Sequence, residues 1–287
     1  MMANWYFYSV SALLLLGGQR FLYKVTAERG YGSGLTSAIF MCTVTLLSGI
    51  VFLASGAEIQ NWHSLAILSL ANSVSFSLAT VANIEALRYL PAGITFPLTR
   101  LSLVVVVAAS VYFFKEQLSL SQWVGILLGG AVIVVMALDV RSATKSARYG
   151  RLGFLYVTAC VLCGAIAAIT SKLAAVSTNK AAFMTLSYSL GALFSLAIER
   201  KWGNNNGSSH PGGALAVGIL MGILNFFGFY AFLTALQNGP LSAIALMTGM
   251  HFIIAIILSV LIYRESLTPH RCAGIVFTVL AIIMLRQ

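Results

Sequence analysis

The chain has 287 residues, of which 59% are hydrophobic and only 8% charged, and its net charge is +10. That balance excludes an ordinary water-soluble surface, so most of the chain must be solvated by lipid and a separate soluble domain has nowhere to fit. The 17 Lys and Arg are scattered between apolar runs rather than gathered on one face, which argues against nucleic acid as a partner.

A helix needs roughly 20 apolar residues to cross a hydrocarbon core, and only helices and closed barrels satisfy their own backbone groups there. On that measure the chain reads as ten spans, near 5–26, 33–54, 64–84, 92–114, 120–140, 152–175, 180–198, 213–235, 241–263 and 270–286. Runs such as Leu101 to Val111 are continuously apolar, where barrel strands would alternate, so the fold class is all-α polytopic. The first run lacks the basic start and cleavage pattern of a secretory signal and is read as a retained span.

Short connections carry the expected breakers: Leu90-Pro91-Ala92-Gly93, Asn238-Gly239-Pro240 and the polar tract Gly203 to Gly213, read as a surface loop. Trp5, Trp62, Trp123 and Trp202 each fall at a predicted helix end, as interfacial anchors do. Cys42, Cys160, Cys163 and Cys272 lie within or beside apolar runs and read as packing residues rather than a disulfide or metal framework. Lys and Arg are richer after the odd-numbered spans, which by the positive-inside rule places both termini outside.

Sliding the sequence by 149 residues matches Ala86-Leu87 to Ala235-Leu236, Pro91 to Pro240, Thr99 to Thr248, Ser110-Val111 to Ser259-Val260, and Gly125-Ile126 to Gly274-Ile275. Lys115-Glu116-Gln117-Leu118-Ser119 likewise faces Arg264-Glu265-Ser266-Leu267-Thr268. Two halves follow, 1–145 and 146–287, each of five spans and together one membrane domain. Because five is odd, the second half enters the membrane with opposite polarity, an inverted-topology repeat of the kind transporters use.

On these residues the chain resembles the drug/metabolite transporter superfamily, in particular its ten-helix EamA-like branch. The resemblance rests on Ala86-Leu87…Pro91-Ala92, Glu116-x-Leu118, Glu265-x-Leu267, Gly125 and Gly274, and spans essentially the whole chain. It implies a basket of ten helices around a central cavity lined by the first, third, fourth, sixth, eighth and ninth, moving a solute by alternating access. It further implies an integral protein of the inner cell membrane carrying amino acids, other metabolites or drugs, often outward and at the expense of an ion gradient. Members commonly keep both termini in the cytoplasm, opposite to the charge count.

An ionisable side chain in hydrocarbon costs on the order of 3 kcal/mol unless it meets a cavity or a partner. Arg100, about eight residues or roughly 12 Å into the fourth span, is therefore the leading candidate to bind an anionic group of the solute through its planar donor fork. The alternative is an Arg bonded to a neighbouring helix. His251, close to the counterpart of Arg100 in the repeat, is the candidate for coupling to protons, against a neutral imidazole bridging two helices. Gln19, Arg20 and Lys24 of the first span, and Lys172 of the sixth, line the cavity mouth or reach for the headgroups. Asn72, Asn83 and Asn225 must find hydrogen bonds in lipid, either to other helices or to solute. Thr99, Tyr230 and Thr248 are further candidates of this kind, and Pro97, beside Arg100, frees a carbonyl and marks a bend or gating hinge.

Glu116 and Glu265 read as interfacial ion pairs with Lys115 and Arg264, and Gly125-x-x-x-Gly129 as a contact within the bundle rather than a dimer seam, with monomer and homodimer both open. All seven acids fall at helix ends or in loops. A carrier of hydrophobic cations would put a carboxylate in mid-membrane, so the expected cargo is a small anionic or zwitterionic metabolite such as an amino acid, moved outward, with protons the candidate coupling ion. The alternatives are multidrug efflux, a channel, a receptor or scaffold that does not transport, and an intramembrane enzyme. For the last, no metalloprotease or nucleophile-elbow motif is found, and no cofactor or metal is implied.

Overall fold

The computed structural model describes residues 3–59, 61–90, 95, 98–99, 101–143, 151–202, 211–263 and 268–285. The helices are α1 (Ala3–Glu28), α2 (Ser33–Ser55), α3 (Trp62–Tyr89), α4 (Ser102–Phe113), α5 (Leu120–Ala143), α6 (Arg151–Ser177), α7 (Lys180–Trp202), α8 (Pro211–Asn238), α9 (Leu241–Gly249), α10 (Phe252–Tyr263) and α11 (Pro269–Leu285). No strand is formed among the described residues. Among the described residues, five stretches are long and apolar enough to cross a bilayer: Ser33–Ser55, Trp62–Tyr89, Arg151–Ser177, Gly212–Asn238 and, taken together, Leu241–Tyr263.

Local chemistry sets the helix limits. The Asn61 side chain accepts from Ser64 N (3.0 Å) and Asn179 from Ala181 N and Ala182 N (2.9 and 3.1 Å), capping α3 and α7. At α5, Ser119 and Gln122 exchange backbone-to-side-chain bonds as a capping box. Pro211 and Pro269 open α8 and α11, where a missing N–H costs nothing. Gly56, at φ 57°, closes α2 in the left-handed region.

The packing is inside-out relative to a soluble protein. Leu53, Tyr112 and Leu120 are among many large apolar side chains left exposed, while Ser48, Thr170 and Thr185 turn their hydroxyls back onto the carbonyls of their own helices. Trp5 departs from the interfacial expectation: it is buried, with its indole against Gly239.

The most extensive helix pairs are α3 with α6, α2 with α7, α1 with α8, and α5 with α11. Exchanging the two halves of the chain turns α1·α8 into α6·α3 and leaves α2·α7 and α5·α11 unchanged. The lesser pairs obey the same exchange, α2·α8 answering α3·α7 and α1·α9 answering α4·α6. The tertiary contacts thus carry the duplication that the sequence shows.

A second expectation is corrected. The predicted ninth span, 241–263, is not continuous: it breaks at Met250 and His251 between α9 and α10. There Met250 N bonds to Met247 O at 3.2 Å and Ile253 N to Met250 O at 3.0 Å, an i to i−3 pattern. The first half repeats it 149 residues earlier, with Leu101 N on Leu98 O and Val104 N on Leu101 O, both 3.1 Å. Both breaks adjoin the cavity described next.

Candidate functional site

A cavity of about 150 Å³ lies where the broken helices meet α1, α3, α6 and α8. These elements correspond to the first, third, fourth, sixth, eighth and ninth predicted spans, and α2, α5, α7 and α11 contribute nothing to the lining among the described residues. The lining obeys helical spacing. Leu16, Gln19, Arg20 and Tyr23 form one face of α1, Asn225, Phe229 and Phe232 one face of α8, and Cys160, Gly164, Ala167 and Ser171 one face of α6.

Its polar wall is a network. Arg20 Nε donates to His251 Nε2 at 2.8 Å, and the other ring nitrogen of His251 lies against the Thr248 carbonyl. With a carbonyl at Nδ1 and a donor at Nε2, these partners assign the neutral Nδ1–H tautomer. The Arg20 guanidinium also lies over the Tyr23 ring, 5.0 Å from its centroid. Gln19 donates to the Tyr23 hydroxyl and accepts from Asn225 Nδ2, both at 3.0 Å. Asn225 Oδ1 is left buried with no partner among the described residues. Aromatic rings supply much of the rest of the lining: Phe76, Phe229 and Phe232, backed by Tyr188 and Phe40. Among the described residues, none of the lining is acidic.

Two glycines permit this arrangement. A Cβ on Gly17 would stand 2.9 Å from the His251 carbonyl oxygen, so only glycine lets α1 lie against the break. A Cβ on Gly249 would stand 2.6 Å from Leu103, which closes α4 over α9.

Of the residues singled out from sequence, Gln19, Arg20, Thr99, Asn225, Thr248 and His251 are brought together around the cavity. Asn72 is not among them. It is consumed between helices, donating to Ala167 O, Thr170 Oγ1 and Ser171 Oγ and accepting from Ser187 Oγ, all within 2.9 to 3.0 Å. Asn83 is fully buried and donates to Cys160 Sγ at 3.6 Å. Lys24 pairs with Glu28 at 3.5 Å and sits over the Tyr263 ring, and Tyr230 lies under Lys180. Lys172 donates to Leu236 O and Gly239 O, both at 2.8 Å, at the end of α8. Pro97 and Arg100 lie outside the described residues. Sequence reasoning missed Tyr23, Phe76, Phe229 and Phe232; the one available signal was spacing, Tyr23 falling four residues past Gln19 and Phe229 four past Asn225.

Glu116 also departs from expectation. Instead of pairing with Lys115, its carboxylate accepts from Leu241 N (2.6 Å), Ser242 N (3.1 Å) and Ser242 Oγ (2.7 Å), capping α9. Lys115, at φ 50°, supplies the turn that aims it there. The equivalent Arg264 and Glu265 lie outside the described residues.

The model of the EamA-like transporter family matches residues 3–138 and again residues 151–287. The chain belongs to the EamA-like transporter family. It is therefore an integral, multi-pass membrane protein of a transporter family, and each half matches the same family pattern. No curated protein matches it in sequence. Among solved structures, one described as the crystal structure of a protein is similar at a TM-score of 0.79 and 16% identity, over 99% of this chain and 98% of the other, a likeness of fold.

Proposed function

We propose that this EamA-like protein is a secondary transporter of a small anionic or zwitterionic metabolite, working by alternating access between halves 1–145 and 146–287. In this reading the chain crosses the membrane ten times, the halves are inverted, and the two breaks flank the solute site, as discontinuous helices do in other carriers. The observation that carries it is the cavity wall itself: a guanidinium and an imidazole, amide groups and, among the described residues, no carboxylate. Arg20 offers a donor fork suited to a carboxylate. Asn225 Oδ1, buried without a partner among the described residues, is an acceptor suited to an ammonium. A cavity of this volume accommodates a molecule of about benzene's size before any movement, so the apolar part of the solute would rest on Phe76, Phe229 and Phe232.

The aromatic wall also suits a second cargo, apolar drugs, and a thermal-shift panel separates the two. A ligand bound only by the folded protein raises its melting temperature. Benzoate, L-phenylalanine and other small carboxylates should raise it, whereas tetraphenylphosphonium, a hydrophobic cation with no carboxylate to meet, should not. The reverse pattern rejects the anion-carrier reading in favour of drug efflux.

A further inference from the structure

We infer that the Arg20–His251 pair takes up a proton and an anionic solute together, making the carrier a symporter of one proton with one carboxylate group. This rests on the anion-carrier reading and deepens it. In the arrangement described, the Nε2 lone pair of His251 is occupied by the Arg20 Nε–H, so the ring is neutral. A proton arriving from water binds at that same Nε2. Two donors then face each other, Arg20 turns away, and both groups present N–H to the cavity. An imidazolium and a guanidinium now share one small space, a state that a carboxylate between them relieves and that no described lining residue does.

The titratable and polar groups that line the cavity with His251 support this sign. From α1 come Arg20 and Tyr23, with Lys24 one residue beyond, held by Glu28 and the Tyr263 ring of α10. From α6 comes the Cys160 thiol. The lining from α3, α4, α8 and α9 is aliphatic, aromatic, hydroxyl or amide. Glu28, Glu85 and Glu116 are engaged elsewhere, with Lys24, with Ser33 and Arg88, and with the start of α9.

Binding linkage is reciprocal: whatever factor protonation adds to solute affinity, the solute adds to proton affinity. Anion and proton therefore load together, where an acid-lined cavity makes a cation and a proton compete and exchange. With an inward proton gradient this linkage drives the solute inward, opposite to the export that the family resemblance suggests.

The test is calorimetric titration of the purified full-length protein with benzoate and with L-phenylalanine, in buffers of different ionisation enthalpy, across about pH 5 to 8. The expected result is uptake of up to about one proton per bound probe, with affinity rising up to about tenfold per unit of acidification. His251→Gln keeps an oxygen toward Arg20 but does not titrate, and should bind with no proton uptake and a flat pH profile. Binding without proton uptake, or with proton release, overturns the coupling and leaves the anion-carrier reading standing. Persistent uptake in His251→Gln overturns the assignment to His251. Failure of either probe to bind at any pH overturns the carrier reading and the coupling with it. Should His251→Gln not fold, the proton count of the native protein decides alone.

Discussion

Glu116→Ala removes the only carboxylate that reaches α9 among the described residues, and the structure fixes what is lost. Three charge-assisted hydrogen bonds go, two of them to the first backbone N–H groups of α9, where Pro240 at the cap provides no side-chain acceptor. Hydrogen bonds to charged groups contribute about 1.5 to 3 kcal/mol each when buried, but Glu116 is only half-buried, and water that reaches it replaces part of the loss. A net cost of about 3 kcal/mol follows for Ala, and about 1 kcal/mol for Gln, which keeps one acceptor oxygen. At about 2 °C per kcal/mol for a chain of this size, detergent-solubilised Glu116→Ala should melt roughly 6 °C below the native protein and Glu116→Gln roughly 2 °C below. Lys172 binds the carbonyls at the other side of the same turn, so Lys172→Met combined with Glu116→Ala should be non-additive. A melting point for Glu116→Ala within about 1 °C of native would refute the capping role and leave Glu116 a surface charge.

Two further substitutions separate scaffold from site. Asn72→Leu deletes the bonds that join α3 to α6 and α7 and should cost about 2 kcal/mol in thermal denaturation, while benzoate affinity stays within about twofold, because Asn72 does not line the cavity. Gly17→Ala forces α1 off the His251 carbonyl and should cost about 1 to 3 kcal/mol, read in the same melt, and weaken benzoate binding as well, because Arg20 shifts with the helix.

Helix placement was legible because a span declares itself by the length of its apolar run. The limits of α2, α6 and α7 fall within a few residues of the sequence reading. The duplication was legible from Pro91 and Pro240 and the Glu-x-Leu pairs, and it reappears in the helix pairing. The break at Met250 was not legible, because no proline stands there: the α9–α10 discontinuity is made by Gly249 meeting Leu103 and Gly17 meeting the His251 carbonyl, contacts between segments far apart in sequence. The same limit separates Asn72 from Asn225. Both are asparagines deep in apolar runs, and only the neighbours of each helix face decide that one binds α6 and the other meets the cavity. Glu116 was paired with its sequence neighbour Lys115 because local partners are the ones a sequence displays, whereas its actual partners, Leu241 and Ser242, lie in the other half.

The central claim is that the base-lined cavity is where the solute binds during transport. Counterflow of radiolabelled L-phenylalanine in proteoliposomes, comparing native protein with Arg20→Ala and Arg20→Lys, addresses it most directly. The account predicts saturable counterflow for the native protein, none above background for Arg20→Ala, and a partial, weaker-binding activity for Arg20→Lys, which keeps the charge but not the planar fork. Arg20→Ala that remains folded and exchanges solute at the native rate and half-saturation would contradict it.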